Sequence, residues 1–348
     1  MKTMTHFTEE LIKTPELPVI EVVDDLIQVY KEFMVIRAAL KLHLFDRMAE
    51  NGSSSIEELS AGIGTRPEYM AGLIGMLYYL DLVRKNDEKY SLSPSANLHF
   101  VTGSMYYQGD VILALSEEGS PWMAMNEYIT SPESKNSFEP VNQFSVASRA
   151  EQEMRGMVKN ITSVISRWTG FREAETFCEI GSGHGLYAIA ACQINPRLKA
   201  IVCQPAGSTV LQENIARFGM ESRITACTKD YLVEPVSPVD ILLVSHSLYP
   251  YQDTLEEKIV ALASRLKAGG LFVSNHWCYR EQDGTGMQGL YELELALHNR
   301  YHLIRDREAF ENFCTSHGLG IFQTGMMRTA YGESTVHMAI KGSIEGSA

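Results

Sequence analysis

From Glu175 onward the sequence alternates between short apolar runs and amphipathic stretches of helical period, and few folds accommodate that rhythm. TFCEIG, KAIVCQ, SRITACTKD, VDILLVSHS and LFVSNHWC read as strands, with LYAIAACQIN, STVLQENIARFG and TLEEKIVALASRLKAGG as helices among them. The strands are apolar at nearly every position rather than at every second one. That pattern predicts a parallel sheet covered by helices on both faces. Two more helical segments follow, MQGLYELELALHNRYHL and REAFENFCTSHG. GIFQTGMMRTA and STVHMAIKG, separated by Tyr331-Gly332-Glu333, predict an antiparallel hairpin that closes one edge.

The first of these strands runs into a glycine turn, Glu179-Ile-Gly-Ser-Gly-His-Gly185. In an open α/β sheet, ligands bind beyond the carboxyl ends of the strands. Gly181, Gly183 and Gly185 allow a sharp turn and a close backbone approach to a ligand. The spacing is GxGxG. A dinucleotide fingerprint needs its third glycine where this chain has Leu186, and a phosphate-binding Walker loop needs a Gly-Lys-Ser/Thr that is absent.

Upstream of Glu175 the pattern is helical. Residues 1–20 are polar, contain Pro15 and Pro18, and read as a loose arm. Leu26, Tyr30, Phe33, Ile36, Leu40 and Leu44 form one helical stripe that ends at Asn51-Gly52. SIEELSAGIG opens with Ser55 and Glu58 in a capping-box arrangement. RPEYMAGLIGMLYYLDLV follows, with Pro67 in its first turn. Leu82 to Leu92 reads as a hairpin turning at Asn86-Asp87. Three helices and a two-stranded wing over residues 21–103 make a winged helix. Residues 104–168 hold further Met- and aromatic-rich helices, broken by a loop at SPESKNSFEPVNQF, and read as a linker and a substrate wall. Residues 169–348 form the α/β domain.

Charge bears on what a winged helix would do here. The chain carries a net charge of −13. Residues 21–103 alone have 8 Lys/Arg against 12 Asp/Glu, a net of −4. Displacing counterions from nucleic acid needs a basic face, so neither nucleic acid nor an anionic membrane surface is an expected partner. The apolar third helix points instead to packing against a second copy, giving a homodimer. No apolar run approaches the ~20 residues of a membrane span, and a soluble, cytoplasmic protein is the expectation. The six cysteines form no CxxC pair and are expected to be buried thiols. His276-Trp277-Cys278 is the one tight His/Cys cluster, and no metal is expected.

The Glu179–Gly185 turn resembles motif I of the class I S-adenosylmethionine-dependent methyltransferases, and the closing edge hairpin is similar to theirs. More narrowly, residues 37–94 resemble the winged-helix dimerisation domain of the small-molecule O-methyltransferase family almost element for element. The resemblance runs from about residue 25 to the C-terminus. It implies a Rossmann-like methyltransferase sheet behind an all-helical winged-helix domain, with S-adenosylmethionine as cofactor and S-adenosylhomocysteine as product. It implies that Glu179, Gly181, Ser182, Gly183 and Gly185 line the methionine end of the cofactor. Gln204, followed by Pro205, stands where the family has the acid that holds the ribose hydroxyls. Asp230 and Tyr231 are expected near the adenine, and Ser245 along the cofactor edge.

Oxygen-methylating members of the family carry His-Asp-Trp after the fourth strand of the sheet, where the His removes the substrate proton. This chain has Tyr249, Pro250 and Tyr251 at the matching positions. Tyrosine titrates near 10 and is a poor base at neutral pH. Three readings stay open: carbon methylation with Tyr249 holding the substrate; oxygen or nitrogen methylation with His246 or His298 as the base; and a cofactor-binding member with other chemistry or none. A Tyr for the His and an amide for the ribose acid also resemble the tetrapyrrole C-methyltransferase branch. Met154, Met157, Ile161, Trp277, Tyr291, Glu294 and His302 are the candidate walls of a pocket for a sizeable, aromatic small molecule.

Overall fold

The computed structural model describes residues 21–130, 143–203, 208–228, 237–279, 286–299, 303–304, 306–329 and 332–342. The chain divides into two compact units, Met1–Val101 and Thr102–Ala348.

The first unit contains α1 (Glu21–Lys41), α2 (Leu44–Asn51), α3 (Ile56–Ile63), α4 (Pro67–Tyr79), the hairpin β1 (Val83–Asn86) and β2 (Lys89–Leu92), and α5 (Pro94–His99). Leu44, Phe45, Met48, Leu59, Ile74 and Leu77 make its core. The capping box forms as expected: Ser55 Oγ accepts the Glu58 N–H at 3.2 Å, and Glu58 Oε2 accepts the Ser55 N–H at 2.8 Å. The wing turns at Asp87, whose φ is +53°. Two details correct the sequence reading. The apolar stripe is not one helix, because the chain breaks between α1 and α2 at His43, with φ +50°. A short helix at 94–99 went unread, although Ser93 caps it and Pro94 occupies its first turn. The early part of the stripe is also unburied, with Leu26 65% and Tyr30 58% exposed.

The second unit opens with α6 (Gly109–Leu115), α7 (Met125–Thr130), α8 (Gln143–Met154) and α9 (Met157–Ser166). The stretch from Arg149 to Trp168 reads as one helix in the sequence. It is two, because Gly156 at φ +134° breaks it. A seven-stranded sheet follows: β3 (Thr176–Ile180), β4 (Lys199–Cys203), β5 (Ile224–Cys227), β6 (Val239–Ser245), β7 (Leu266–His276), β8 (Leu319–Thr329) and β9 (Gly332–Lys341). Their spatial order is β5-β4-β3-β6-β7-β9-β8. All pairs are parallel except β7–β9 and β8–β9, so the predicted antiparallel edge is present. The helices α10 (Leu186–Ile194), α11 (Thr209–Arg217), α12 (Leu255–Ser264), α13 (Gly286–Asn299) and α14 (Arg307–Ser316) complete the unit.

One core packs α9, α10 and α11 on one face of the sheet, and a second packs α12, α13 and α14 on the other. This is why the strands are apolar on both sides. At the end of the sheet away from the glycine turn, Asp240 Oδ2 accepts the N–H groups of Glu175 and Thr176 at 3.1 and 2.9 Å and the Lys267 Nζ at 2.9 Å. It thereby holds β3, β6 and β7 in register. All six cysteines are free thiols; Cys227 is partly buried and the others are buried. Among the described residues no helix is long and apolar enough to cross a membrane, and no three His, Cys, Asp or Glu side chains converge as a metal site.

Candidate active site

The chain leaves β3 toward β4 on one side and returns at β6 on the other. The carboxyl ends of β3 and β6 are therefore the topological switch point of the sheet, where a crevice opens. Gly181 ends β3 with φ +103°. A Cβ there would overlap Ser245 O and lie 2.7 Å from Ser247 Cβ, so the two loops meet backbone to backbone. Gly185, at φ +73°, begins α10, and a Cβ on it would stand 2.5 Å from Leu211 Cδ1. Ser245 is fully buried and receives the Asn275 Nδ2–H at 3.0 Å. Asn275 in turn accepts from Ser334 at 2.6 Å.

Glu179 is tied into the glycine turn itself. It is fully buried. One carboxylate oxygen accepts the Ala188 N–H at 2.7 Å and the other accepts the Ser182 hydroxyl. It caps α10 from inside the turn, and burial, its largest influence, raises its pKa. Glu179 thus shapes the Gly181–Gly185 turn.

Tyr249, at the start of a 3-10 turn over Tyr249–Thr254, is buried. Its hydroxyl accepts the Trp277 N–H at 2.8 Å and hydrogen-bonds His246 Nδ1 at 2.6 Å. Burial drives its pKa well above 10. His246 itself adopts φ +50° and binds Asn275 O through its N–H at 2.9 Å. His276 anchors the loop beneath them: Nε2 accepts the Ser247 and Leu248 N–H groups, each at 3.2 Å, so its proton is on Nδ1, which donates to Ser274 Oγ at 2.9 Å. That use of both nitrogens explains why the His276-Trp277-Cys278 cluster is structural.

Burial pushes His246 down to about 4, with Glu153 opposing the shift and Arg149 adding to it. The folded state therefore binds fewer protons at this imidazole than the unfolded chain, where it titrates near 6.5. Its contribution to stability is complete above about 6.5 and is lost as pH falls toward 4. A shift of this size is worth roughly 3 kcal/mol. The melting temperature should be lower at pH 5 than at pH 7.5, and His246→Asn should narrow that gap. His276 is depressed in the same direction by burial, so the gap should narrow without closing. A gap unaltered in the variant would mean that another group titrates.

The expected pocket walls separate into two sets. Trp277 stacks on Tyr291 with ring centroids 4.8 Å apart and planes 11° from parallel, and His246 meets Trp277 edge-on at 5.0 Å. These form an aromatic wall with Tyr249, and Tyr291 is fixed by the Glu333 N–H at 3.0 Å. Ile161 is fully buried and Met157 nearly so, both in the core under α9, with Met154 packed against it. They support the sheet and present little surface to a ligand. Glu294 is partly buried on α13. His298 lies on α13, but its side chain, like Gln204, Pro205, Asp230, Tyr231 and His302, is outside the described residues.

Sequence reasoning missed five residues at this crevice. His184, inside the glycine turn, is fully buried and bound to Glu153 at 2.8 Å. Arg149 Nε and Ser247 Oγ are buried and make no hydrogen bond among the described residues, and the buried Tyr187 lies beside Glu153. Arg149 and Glu153 share a face of α8 at a four-residue spacing, the one signal available beforehand.

Comparison with known proteins followed the same division of the chain. Residues 24–102 match the family model "O-methyltransferase dimerisation domain". The N,N-dimethyltransferase OxyT of Streptomyces rimosus is 22% identical over 258 residues, covering 70% of this chain and 74% of that protein. Among solved structures, an O-methyltransferase family protein from Burkholderia thailandensis superposes with a TM-score of 0.75 at 17% identity, over 94% of this chain and all of the other. Human N-acetylserotonin methyltransferase, solved with SAM, has a TM-score of 0.69 at 17% identity, over 95% and 99% of the two chains.

The crevice has the donors such a cofactor requires. The unpaired Arg149 Nε suits a carboxylate such as that of a methionine moiety. Ser247 Oγ supplies a further buried polar atom without a partner among the described residues.

Proposed function

We propose that the chain is a class I methyltransferase carrying an O-methyltransferase dimerisation domain, and that it transfers the methyl group of S-adenosylmethionine to a nitrogen of a sizeable, mainly apolar aromatic molecule. The observation that carries this reading is the state of His246 and Tyr249. Methyl transfer is an in-line displacement, to which a protein contributes alignment and desolvation. A phenol, titrating near 10, must also lose its proton. His246, at about 4, would accept it only at a cost of roughly 8 kcal/mol. Tyr249 is engaged twice and pushed above 10, so it is no base either. An aromatic amine attacks through a free lone pair. Its proton departs afterwards from an acidic ammonium, which a weak base accommodates. The stacked Trp277–Tyr291 pair suits a flat ring. That the similar protein OxyT is an N,N-dimethyltransferase is in keeping with nitrogen.

The test is S-adenosylhomocysteine release with matched pairs of arylamine and phenol on one ring system. Turnover of amines and not of phenols is expected; the reverse preference overturns the reading.

The partner we propose is a second copy. Val22, Leu26, Val29 and Tyr30 on α1 are 65%, 65%, 59% and 58% exposed, an apolar face that a monomer leaves in water. Sedimentation should find a dimer, and Leu26→Asp should shift it toward monomer without lowering helix content. A variant as dimeric as the parent would remove α1 from the interface.

A further inference from the structure

The glycine turn is braced by a carboxylate from outside it. His184 Nδ1 accepts the Leu186 N–H at 3.1 Å, so its proton is on Nε2 and is donated to Glu153 Oε2 at 2.8 Å. The imidazole thus orients Glu153 toward the glycine turn. Glu153 comes from the last turn of α8, and its side chain is 14% exposed. Arg149, one turn earlier, makes no ion pair with it among the described residues. The other groups that face it do not neutralise it: His246 is uncharged at neutral pH, and the Glu179 carboxylate is committed to Ser182 and Ala188. Tyr187, buried beside Glu153, is raised first by burial and then by the charges of Glu153 and Glu179. Burial alone would raise Glu153, but the His184 imidazole and its hydrogen bond outweigh it and hold the carboxyl below its usual range. Arg149 feels the Glu153 charge from the same buried region but forms no ion pair with it among the described residues, so the carboxylate keeps capacity for a further cation.

We propose that Glu153, oriented by His184, is the counter-charge for the cationic centres of the cofactor. This rests on the S-adenosylmethionine reading above. The cofactor offers two such centres: an α-ammonium, which S-adenosylhomocysteine retains, and a sulfonium, which it has lost. If the sulfonium is the group answered, Glu153 also makes the crevice favour the methyl donor over its spent product.

The test is calorimetric binding of three ligands to the full-length protein, with no turnover. S-adenosylmethionine carries both centres, S-adenosylhomocysteine only the ammonium, and 5′-methylthioadenosine neither. Glu153→Gln should weaken the charged ligands by about tenfold, as expected for loss of one charge interaction at several ångströms, and leave methylthioadenosine unchanged. Equal loss for the first two assigns the ammonium; loss for S-adenosylmethionine alone assigns the sulfonium. Glu153→Asp, which keeps the charge but withdraws it by one methylene, should show the same selective loss in smaller measure and serves if the Gln variant does not fold. Equal weakening of all three ligands, or of none, in the folded variants overturns the proposal and leaves Glu153 a brace for the turn. A parent protein that binds none of the three fails the cofactor reading itself, a result distinct from either.

Discussion

Gly181→Ala should abolish cofactor binding and cost the fold about 2–6 kcal/mol. Two penalties add. At φ +103° an L side chain is strained by about 1–3 kcal/mol. The added Cβ would also overlap Ser245 O, a backbone atom that cannot rotate away, and press on Ser247 Cβ at 2.7 Å. Overpacking of this kind costs about 1–3 kcal/mol. Relief requires the β3 and β6 loops to part, and those loops are the two walls of the crevice. Denaturant unfolding and S-adenosylmethionine calorimetry measure the two effects separately. Gly72→Ala, in α4 with nothing within 4 Å of the added methyl, is the control and should be neutral or slightly stabilising. Full-affinity binding in Gly181→Ala would show that the cofactor does not use this crevice.

Tyr249→Phe should lower turnover by about a hundredfold while changing the Kd for S-adenosylmethionine little. The phenyl ring still fills its place in the core. What is lost is the oxygen that joins the Trp277 N–H to His246 Nδ1. An N–H left without a partner costs about 1–3 kcal/mol, and the imidazole is freed to rotate. A misplacement of about 1 Å at the reacting edge accounts for a loss of that order. A purely structural role would lower the melting temperature and leave kcat of the surviving protein unchanged. A positioning role lowers kcat and moves its pH profile, because His246 would no longer be held in one orientation. Unchanged kcat with the physiological substrate would remove Tyr249 from the reaction.

Local chemistry accounts for what was legible beforehand. The Ser55/Glu58 box, the Asp87 turn and the alternation from Glu175 onward all follow from residues within a few positions of each other, where propensity and periodicity act. The glycine turn was readable because three glycines at alternate positions constrain the backbone whatever surrounds them. Gly156 is the instructive miss. Helical periodicity continued across it, and only its φ of +134° shows that α8 and α9 are separate. His43 is similar, since nothing in its type announces a left-handed residue between two helices.

The sequence by itself determined the class of sheet, its antiparallel edge, the acidic winged-helix unit and the position of the glycine turn, because each is set by short-range pattern. Only the tertiary structure decided how the site works. His184 and Glu153 are 31 positions apart, and Trp277 and Tyr249 are 28. No spacing rule links such residues; they meet because parallel strands deliver their loops to one end of the sheet. Glu179 shows the same limit from the other side. Its position in the turn was readable, but burial and two hydrogen bonds spend its carboxylate on α10. The desolvation that makes His246 a weak base is likewise a property of what surrounds it, and no residue carries that information in its own name.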